Sequence, residues 1–309
     1  MHNSDFTLLK KLQTINATSG DEYLMKDFLI DFIKKNMNSW RNKPELIYGK
    51  DFQDCIILKF GRPRTAVFAH MDSVGFTVRY NNELIKIGGP KIINKTELVG
   101  NDSKGNISTY LYYDDKSSKI YCDFKRNIDV GTNLVFKPNF NESDNFITNC
   151  YMDNRLGIFN VLELAKTLND GIIVFTCWEE IGGGSVGYLS KFLYEKYKIN
   201  QALISDITWI TEGIKHNNGV VISIRDSSIP RRSFVNKIID IADNSNIKFQ
   251  LEVESSGGSD GNSIQRAPYP INWCFVGAPE DNVHSPYEKV HINDIKSMMQ
   301  LYQKLMINL

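Results

Sequence analysis

The sequence predicts a three-layer α/β/α domain on a mixed sheet, with a small, mostly β module inserted into it. Three observations lead there. From residue 146 onward, short apolar runs that read as buried strands alternate with amphipathic helical segments. Between residues 75 and 145 that alternation gives way to short β-type runs broken by Gly, Asn, Asp and Lys. Acids and imidazoles fall just after several apolar runs, and open α/β sheets build their sites at the carboxyl ends of strands.

The first segment reads as helices. Phe6, Leu8, Leu9 and Leu12 share a face, Ser19-Gly20-Asp21-Glu22 punctuates, and Tyr23 to Met37 repeats the pattern through Leu24, Met25, Phe28, Leu29, Phe32 and Ile33. Extended runs follow at Glu45–Tyr48, Cys55–Phe60 and Thr65–Ala69. The module carries alternating runs at Phe76–Tyr80, Leu84–Ile87, Ser108–Tyr113, Lys119–Phe124 and Asn133–Phe136. Residues 1–74 and 146–309 therefore form the expected α/β/α domain, and 75–145 the insertion. After it come a helix at Leu156–Leu168, a buried strand at Ile172–Trp178 and a helix at Ser190–Tyr197. Strands at Ala202–Ser205 and Val220–Arg225, a helix at Ser233–Asn244, a strand at Ile271–Val276 and a helix from about Ile292 complete the order.

Composition narrows the function classes. Lys+Arg and Asp+Glu are both 36, so the chain is neutral overall; nucleic-acid binding, which rests on clustered positive charge, is not expected. No apolar stretch approaches the roughly 20 residues that cross a bilayer, and Met1-His2-Asn3-Ser4-Asp5 lacks the plan of a secretory signal. Cys55, Cys122, Cys150, Cys177 and Cys274 are odd in number and mostly lie in apolar runs. They are expected as buried free thiols of a cytoplasmic protein.

The chemistry lies in six fragments. Thr65–Ala69 delivers His70, with Asp72 two positions on and on the same face of an extended segment, able to orient the imidazole. Ile172–Trp178 ends in Glu179-Glu180. Like charges side by side repel, and a metal ligand beside a general base accounts for both; a solvated pair starting a loop is the plainer reading. The Gly182-Gly183-Gly184 run gives a tight turn and no phosphate loop, since no Lys-Ser/Thr follows. Ala202–Ser205 delivers Asp206. Asp153 precedes a helix, as a ligand or an N-cap, and its neighbours Asn154 and Arg155 fit capping and surface pairing as well as metal chemistry. Gly257-Gly258-Ser259-Asp260 supplies a further acid. His284-Ser285-Pro286 supplies a second imidazole, whereas His2, His216 and His291 read as surface or capping residues. Two histidines, at least three carboxylates and a spare Glu match the mixed ligands of catalytic zinc. Five ligands shared by two ions need one bridging carboxylate.

In order, these motifs resemble the M42 family of co-catalytic metallo-aminopeptidases, of the glutamyl and tetrahedral aminopeptidase type, related to the M28, M18 and M20 peptidases. Ala17–Glu22 resembles the family's early "GxSGxE" turn, and Ala69–Phe76 its "HxDEIGF". Ile87-Gly88-Gly89 matches its β module, Asp153–Gly157 its "DDRxG" and Thr176–Gly182 its "TxxEEvG". Ser205–Thr208, Gly257–Asp260 and His284–Pro286 parallel "xDvT", "GGTD" and "HSP". The resemblance implies that His70 and Asp206 hold one divalent ion, Glu180 and His284 the other, and that Asp153 bridges. It implies Glu179 as general base and acid and Asp72 as orienter of His70, with zinc first among the metals and cobalt or manganese as alternatives. The implied substrates are short peptides with free N-termini. The implied assembly is a homo-oligomer, a dimer or a twelve-subunit shell, in which the module drives dimerisation.

Departures are few. Asn154 replaces the usual second acid, Ser185 departs from a small-residue pattern, and the module is short, which bears on higher assembly rather than on chemistry. A cis Asp153–Asn154 peptide is expected. The rivals are an M20- or M28-type carboxypeptidase or amide deacylase on the same fold, and a non-catalytic assembly scaffold. The insertion directly after the His70 strand favours M42, and no expected ligand is missing.

Overall fold

A computed structural model describes residues 5–143 and 145–309. Its core is an eleven-stranded mixed sheet. Four parallel strands form the centre, in the spatial order Gly171–Thr176, Ala66–His70, Gln201–Trp209 and Asn272–Asp281. Every residue of the first two is buried. Since successive side chains point to opposite faces, both faces must be covered. One cover is the mutually packed set of helices Thr7–Leu12, Met152–Ala165, Arg232–Asp243 and Ile292–Asn308; the other includes the packed pair Val186–Tyr197 and Asp260–Arg266. The layered α/β/α class expected from the alternation is the observed one.

Register brings the chemistry to one level. Thr176 pairs with His70, and Ile204 with Phe68, so Asp206 stands level with His70 two residues further along. The chain leaves Ala66–His70 to build a neighbour on one side and then one on the other, which opens a crevice at the carboxyl ends of these strands. Gly157 lets the Met152–Ala165 helix approach closely: a Cβ there would lie 2.1 Å from the Ser205 carbonyl. Asn154 Nδ2 donates to that same carbonyl at 2.9 Å.

A second sheet has six antiparallel strands, in the order Leu84–Ile87, Gly75–Val78, Asn133–Phe136, Glu97–Asp102, Gly105–Asp114 and Lys119–Asp123. A bridge between Glu83 and Tyr121 curls its two edges toward each other. Phe76, Leu98, Leu111, Leu134 and Phe136 fill its own small core, joined by Cys150 and Tyr151 from the following segment.

Several boundaries differ from the sequence reading. The helix expected from Ser190 begins at Val186, and the strand expected to end at Ser205 runs to Trp209. Strands Glu97–Asp102, Phe249–Val253 and Glu288–His291 and helix Asp260–Arg266 were not expected. Glu97–Asp102 ends in Gly-Asn-Asp, residues that read as a turn, and Asp260–Arg266 is short, with Gly, Asn and Ser of modest helix propensity. Cys55, Cys122, Cys150, Cys177 and Cys274 are buried and unpaired. No helix of the described residues is long and apolar enough to cross a membrane.

Tyr302, fully buried on the last helix, ties this helix to the central sheet. Its hydroxyl lies 2.7 Å from the Ile204 carbonyl and 2.8 Å from that of Val276. It donates to one at a time. Tyr302→Phe is expected to cost about 1 kcal/mol, the net worth of one such bond. Equilibrium denaturation checks this, and an unchanged midpoint would show that the hydroxyl is dispensable.

Candidate metal centre

Two clusters of metal-ligating side chains share one residue. His70, Asp153 and Asp206 form the first, and Asp153, Glu180 and His284 the second; within each, the ligand atoms lie within 4.8 Å of one another. Asp153 Oδ1 is 3.0 Å from His70 Nε2, and its Oδ2 is 3.2 Å from His284 Nε2. Asp206 Oδ2 stands 3.5 Å from His70 Nε2, and Glu180 Oε2 stands 3.1 Å from His284 Nε2. Glu179 Oε2 is 3.9 Å from His70 Nε2, just outside the first cluster.

Both imidazoles are oriented from behind. His70 Nδ1 lies 3.1 Å from the Asp72 carbonyl and 3.4 Å from its carboxylate, and His284 Nδ1 lies 3.3 Å from the Gly89 carbonyl. A proton on Nδ1 then donates to those oxygens and turns each Nε2 lone pair toward the carboxylates. Gly89 belongs to the β module, so the second sheet reaches the centre through one backbone carbonyl.

The backbone around these ligands is unusual and is held by buried acids. Tyr151, Trp178 and His284 adopt left-handed φ values of 65°, 64° and 62°, a conformation that costs a side-chain-bearing residue about 1–2 kcal/mol. The Asp153–Asn154 peptide is cis, as expected. Glu22 Oε1 accepts from the Trp178 N–H at 3.1 Å. The Asp72 carboxylate accepts from Glu179 and Glu180 N–H, both at 3.1 Å, and from Ser19 Oγ at 2.6 Å. Glu288 accepts from Met152 N–H at 2.6 Å, Asp153 N–H at 3.3 Å and His284 N–H at 2.8 Å. One carboxylate thus fastens the turns that carry Asp153 and His284 to each other. Glu288→Ala, which strands three N–H groups, is expected to weaken divalent-metal binding at least tenfold. Glu288→Gln, retaining one acceptor oxygen, should fall between. Metal titration by calorimetry reads the difference, and equal affinity in all three proteins would dismiss the clamp.

Electrostatics show a centre short of positive charge. Burial pushes Glu179 well up, Glu180 to about 7, Asp206 to about 6 and Asp260 to about 7. Against the cost of its own burial, His284 is raised to about 12 by Asp153 and Glu180, and His70 is raised by Asp206 and Asp153. Burial opposes ionisation of Asp153 too, yet the imidazoles of His284 and His70 hold it low. His70 Nε2 and Glu180 Oε1 are buried without a hydrogen-bond partner. With no proton on Nε2, an imidazole lone pair facing two carboxylates is repulsive unless a cation lies between them, so the residues fit divalent ions.

Of the seven site residues expected from sequence, Asp153, Glu179, Glu180, Asp206 and His284 line this one crevice, and His70 and Asp72 are buried directly behind it. Asp153 accepts from no N–H of the helix; Asn154 is the cap, its Oδ1 accepting from Gly157 N–H at 2.8 Å. Arg155 is no surface residue: it is wholly buried and donates to the Met71 carbonyl, bracing the His70–Asp72 turn. His291 caps the last helix, accepting from Asn293 N–H at 3.1 Å, and His216 meets Asp281 at 3.0 Å. His2 lies outside the described residues. Glu22, Glu280 and Glu288 were missed. Glu280 is 1% exposed with neither oxygen partnered, and burial first, then the charge of Glu288, pushes it well up. The signal available was position: Glu288 opens the strand that comes directly after the His284-Ser285-Pro286 loop.

Fold and crevice together are those of a metal-centred hydrolase, and the comparisons give its family. The chain belongs to the M42 glutamyl aminopeptidase family, whose model matches residues 111–301. It is a peptide hydrolase. Over 331 aligned residues, 96% of each chain, it is 26% identical to an Acetivibrio thermocellus protein provisionally described as an aminopeptidase. Aminopeptidase APDkam598 of Desulfurococcus kamchatkensis shares the fold, with a TM-score of 0.83, 20% identity and 97% and 93% of the two chains covered. So does the TET1 peptidase of Pyrococcus horikoshii, which can assemble into a tetrahedron or a large octahedral shell; here the TM-score is 0.79, identity 23% and coverage 97% and 98%.

Proposed function

We propose that the chain is a cytoplasmic dinuclear metallo-aminopeptidase that removes N-terminal residues from short peptides. The observation that carries this reading is Asp153, whose two oxygens face two different imidazoles at 3.0 and 3.2 Å. His70 and Asp206 would hold one ion and Glu180 and His284 the other, with Asp153 common to both, and zinc suits the ligand set best. Bound there, the ions supply Lewis-acid polarisation of the scissile carbonyl and a lowered pKa for water.

The chain's own groups do the rest. Glu179 makes no close contact with either imidazole, so its carboxylate is free to take a proton from the attacking water and pass it to the leaving amine. Asp72 fixes the Glu179 and Glu180 backbone and His70 together, so base and ligands keep one geometry. Beyond the groups that would hold the ions, Asp226, Glu252 and Glu254 line the crevice against a single arginine, Arg266, which favours an amino terminus over a carboxyl terminus. Such a field attracts an ammonium group and repels a carboxylate.

We assign residues 75–145 to self-association. Tyr110 and Tyr121, on one face of its strands, are 49% and 40% exposed, and Tyr112 stacks on Tyr121 between them, an aromatic surface of the kind found at interfaces. The activity is tested on aminoacyl-p-nitroanilides, with cleavage expected, lost with chelator and restored by zinc or cobalt. Comparing amino-blocked with carboxyl-blocked dipeptides separates this reading from a carboxypeptidase. Cleavage of the amino-blocked series alone would overturn it.

A further inference from the structure

A cavity of about 350 Å³ opens beside Glu179 and runs along the carboxyl ends of strands Val220–Arg225 and Phe249–Val253. These strands are parallel, and Glu254 N–H donates to the Arg225 carbonyl at 3.0 Å, which sets Asp226 and Glu254 side by side. Glu252, only 4% exposed, lies two residues before Glu254, on the strand that leads to it. All three line the cavity.

Among the described residues, no lysine, arginine or histidine nitrogen comes within 4.0 Å of any of these three carboxylates. Arg225 spends its Nε on the Asp226 carbonyl at 3.1 Å, and Arg266 is exposed. Burial first, with Glu254 and Asp226 adding repulsion, raises Glu252. The remaining polar wall mixes hydroxyls with unsatisfied acceptors, and the Thr208 hydroxyl donates to Glu252 Oε1. Asp260 Oδ1 is buried without a partner on a residue 1% exposed, and Asn262 Oδ1 has none either. Trp209 and Phe275 supply flat apolar surface in the same cavity. A pocket with aromatic walls, several acceptors and uncompensated negative charge suits a ligand with an alkyl stem and a cationic, donor-rich head.

We propose that this cavity receives the side chain of the substrate's first residue and selects lysine or arginine, with Asp226, Glu252 and Glu254 meeting the charge. This rests on the aminopeptidase reading and names its substrate class. A carboxylate in the same place would meet like charge without a compensating partner, so an N-terminal Glu or Asp is disfavoured.

Two measurements on the zinc-supplemented protein decide it. The first is calorimetric binding of lysinamide against norleucinamide, which differ by the terminal ammonium. Lysinamide is expected to bind at least tenfold tighter, and Glu252→Gln and Glu254→Lys should each shrink that ratio severalfold or more. The second is kcat/KM on Lys-, Arg-, Leu- and Glu-p-nitroanilides, expected to rank the two basic substrates at least tenfold above Leu and Glu last. Equal binding of the two amides, or a Lys:Leu ratio untouched by both variants, overturns the inference. Tighter lysinamide binding without cleavage of any substrate upholds the pocket while removing the catalytic assignment, so the two readings fail separately.

Discussion

Glu179→Gln is expected to lower kcat by about 10²–10⁴-fold, the usual worth of a positioned general base, while leaving metal content and assembly as in the parent. Glutamine has the same size and keeps the backbone N–H that donates to Asp72 at 3.1 Å, so the turn stays in place. What it loses is the ability to take a proton. Because Glu179 stands 3.9 Å from His70 Nε2 and belongs to neither cluster, its substitution separates chemistry from metal binding. Steady-state kinetics beside metal analysis reads both. A variant with a tenth or more of the parental turnover would take Glu179 out of the base role.

Asp153→Ala is expected to have the other large effect, through binding rather than proton transfer. Each cluster has three candidate ligands, and Asp153 is the one they share. Removing it should drop metal content from near two ions per chain to below one, whereas His284→Ala should leave the His70–Asp206 side able to bind. Ions held at 1,000 times their dissociation constant stabilise the folded state by about 4 kcal/mol each. The melting temperature of Asp153→Ala in zinc should therefore fall several degrees, toward that of the chelated parent. Full metal content in the variant would mean that the two clusters do not depend on a common carboxylate.

The two kinds of residue in this centre differ in how legible they are from sequence. His70, Asp206 and the Glu179-Glu180 pair follow or lie within apolar strands, and a strand's carboxyl end is visible as the point where an apolar run stops. Asp153 and His284 are visible for a different reason, the resemblance of their neighbours to family motifs. The residues that hold the backbone are not legible in this way. Glu22 and Glu288 look like ordinary surface acids, yet both are 1% exposed. Nothing local distinguishes a buried glutamate from a solvated one; the difference lies in which N–H groups arrive opposite it. Arg155 shows the converse, since its surroundings suited a surface role while the fold places it among the carbonyls of Ile15, Met71 and Asp72.

The same division applies to the fold. Residues 75–145 read as β from their texture, but strand Glu97–Asp102 was hidden by its Gly-Asn-Asp ending, and Phe249–Val253 by lying at an edge where Leu251 and Val253 stay exposed. That second strand matters most for specificity, because it carries Glu252 and leads to Glu254.

Alternating buried runs on their own determined the α/β/α class, and the order of the acid and imidazole motifs, through its resemblance to family motifs, pointed to the M42 family and to seven candidate side chains. Those properties are local or ordered along the chain: periodicity records the elements, and the order of the motifs carries the resemblance. Parallel pairing of Val220–Arg225 with Phe249–Val253, the clamp from Glu288 to both ligand turns, and the gathering of three acids without a counterion were decided only in three dimensions. Each depends on which distant groups share a small volume of low dielectric, and a linear sequence does not encode that distance in any single segment.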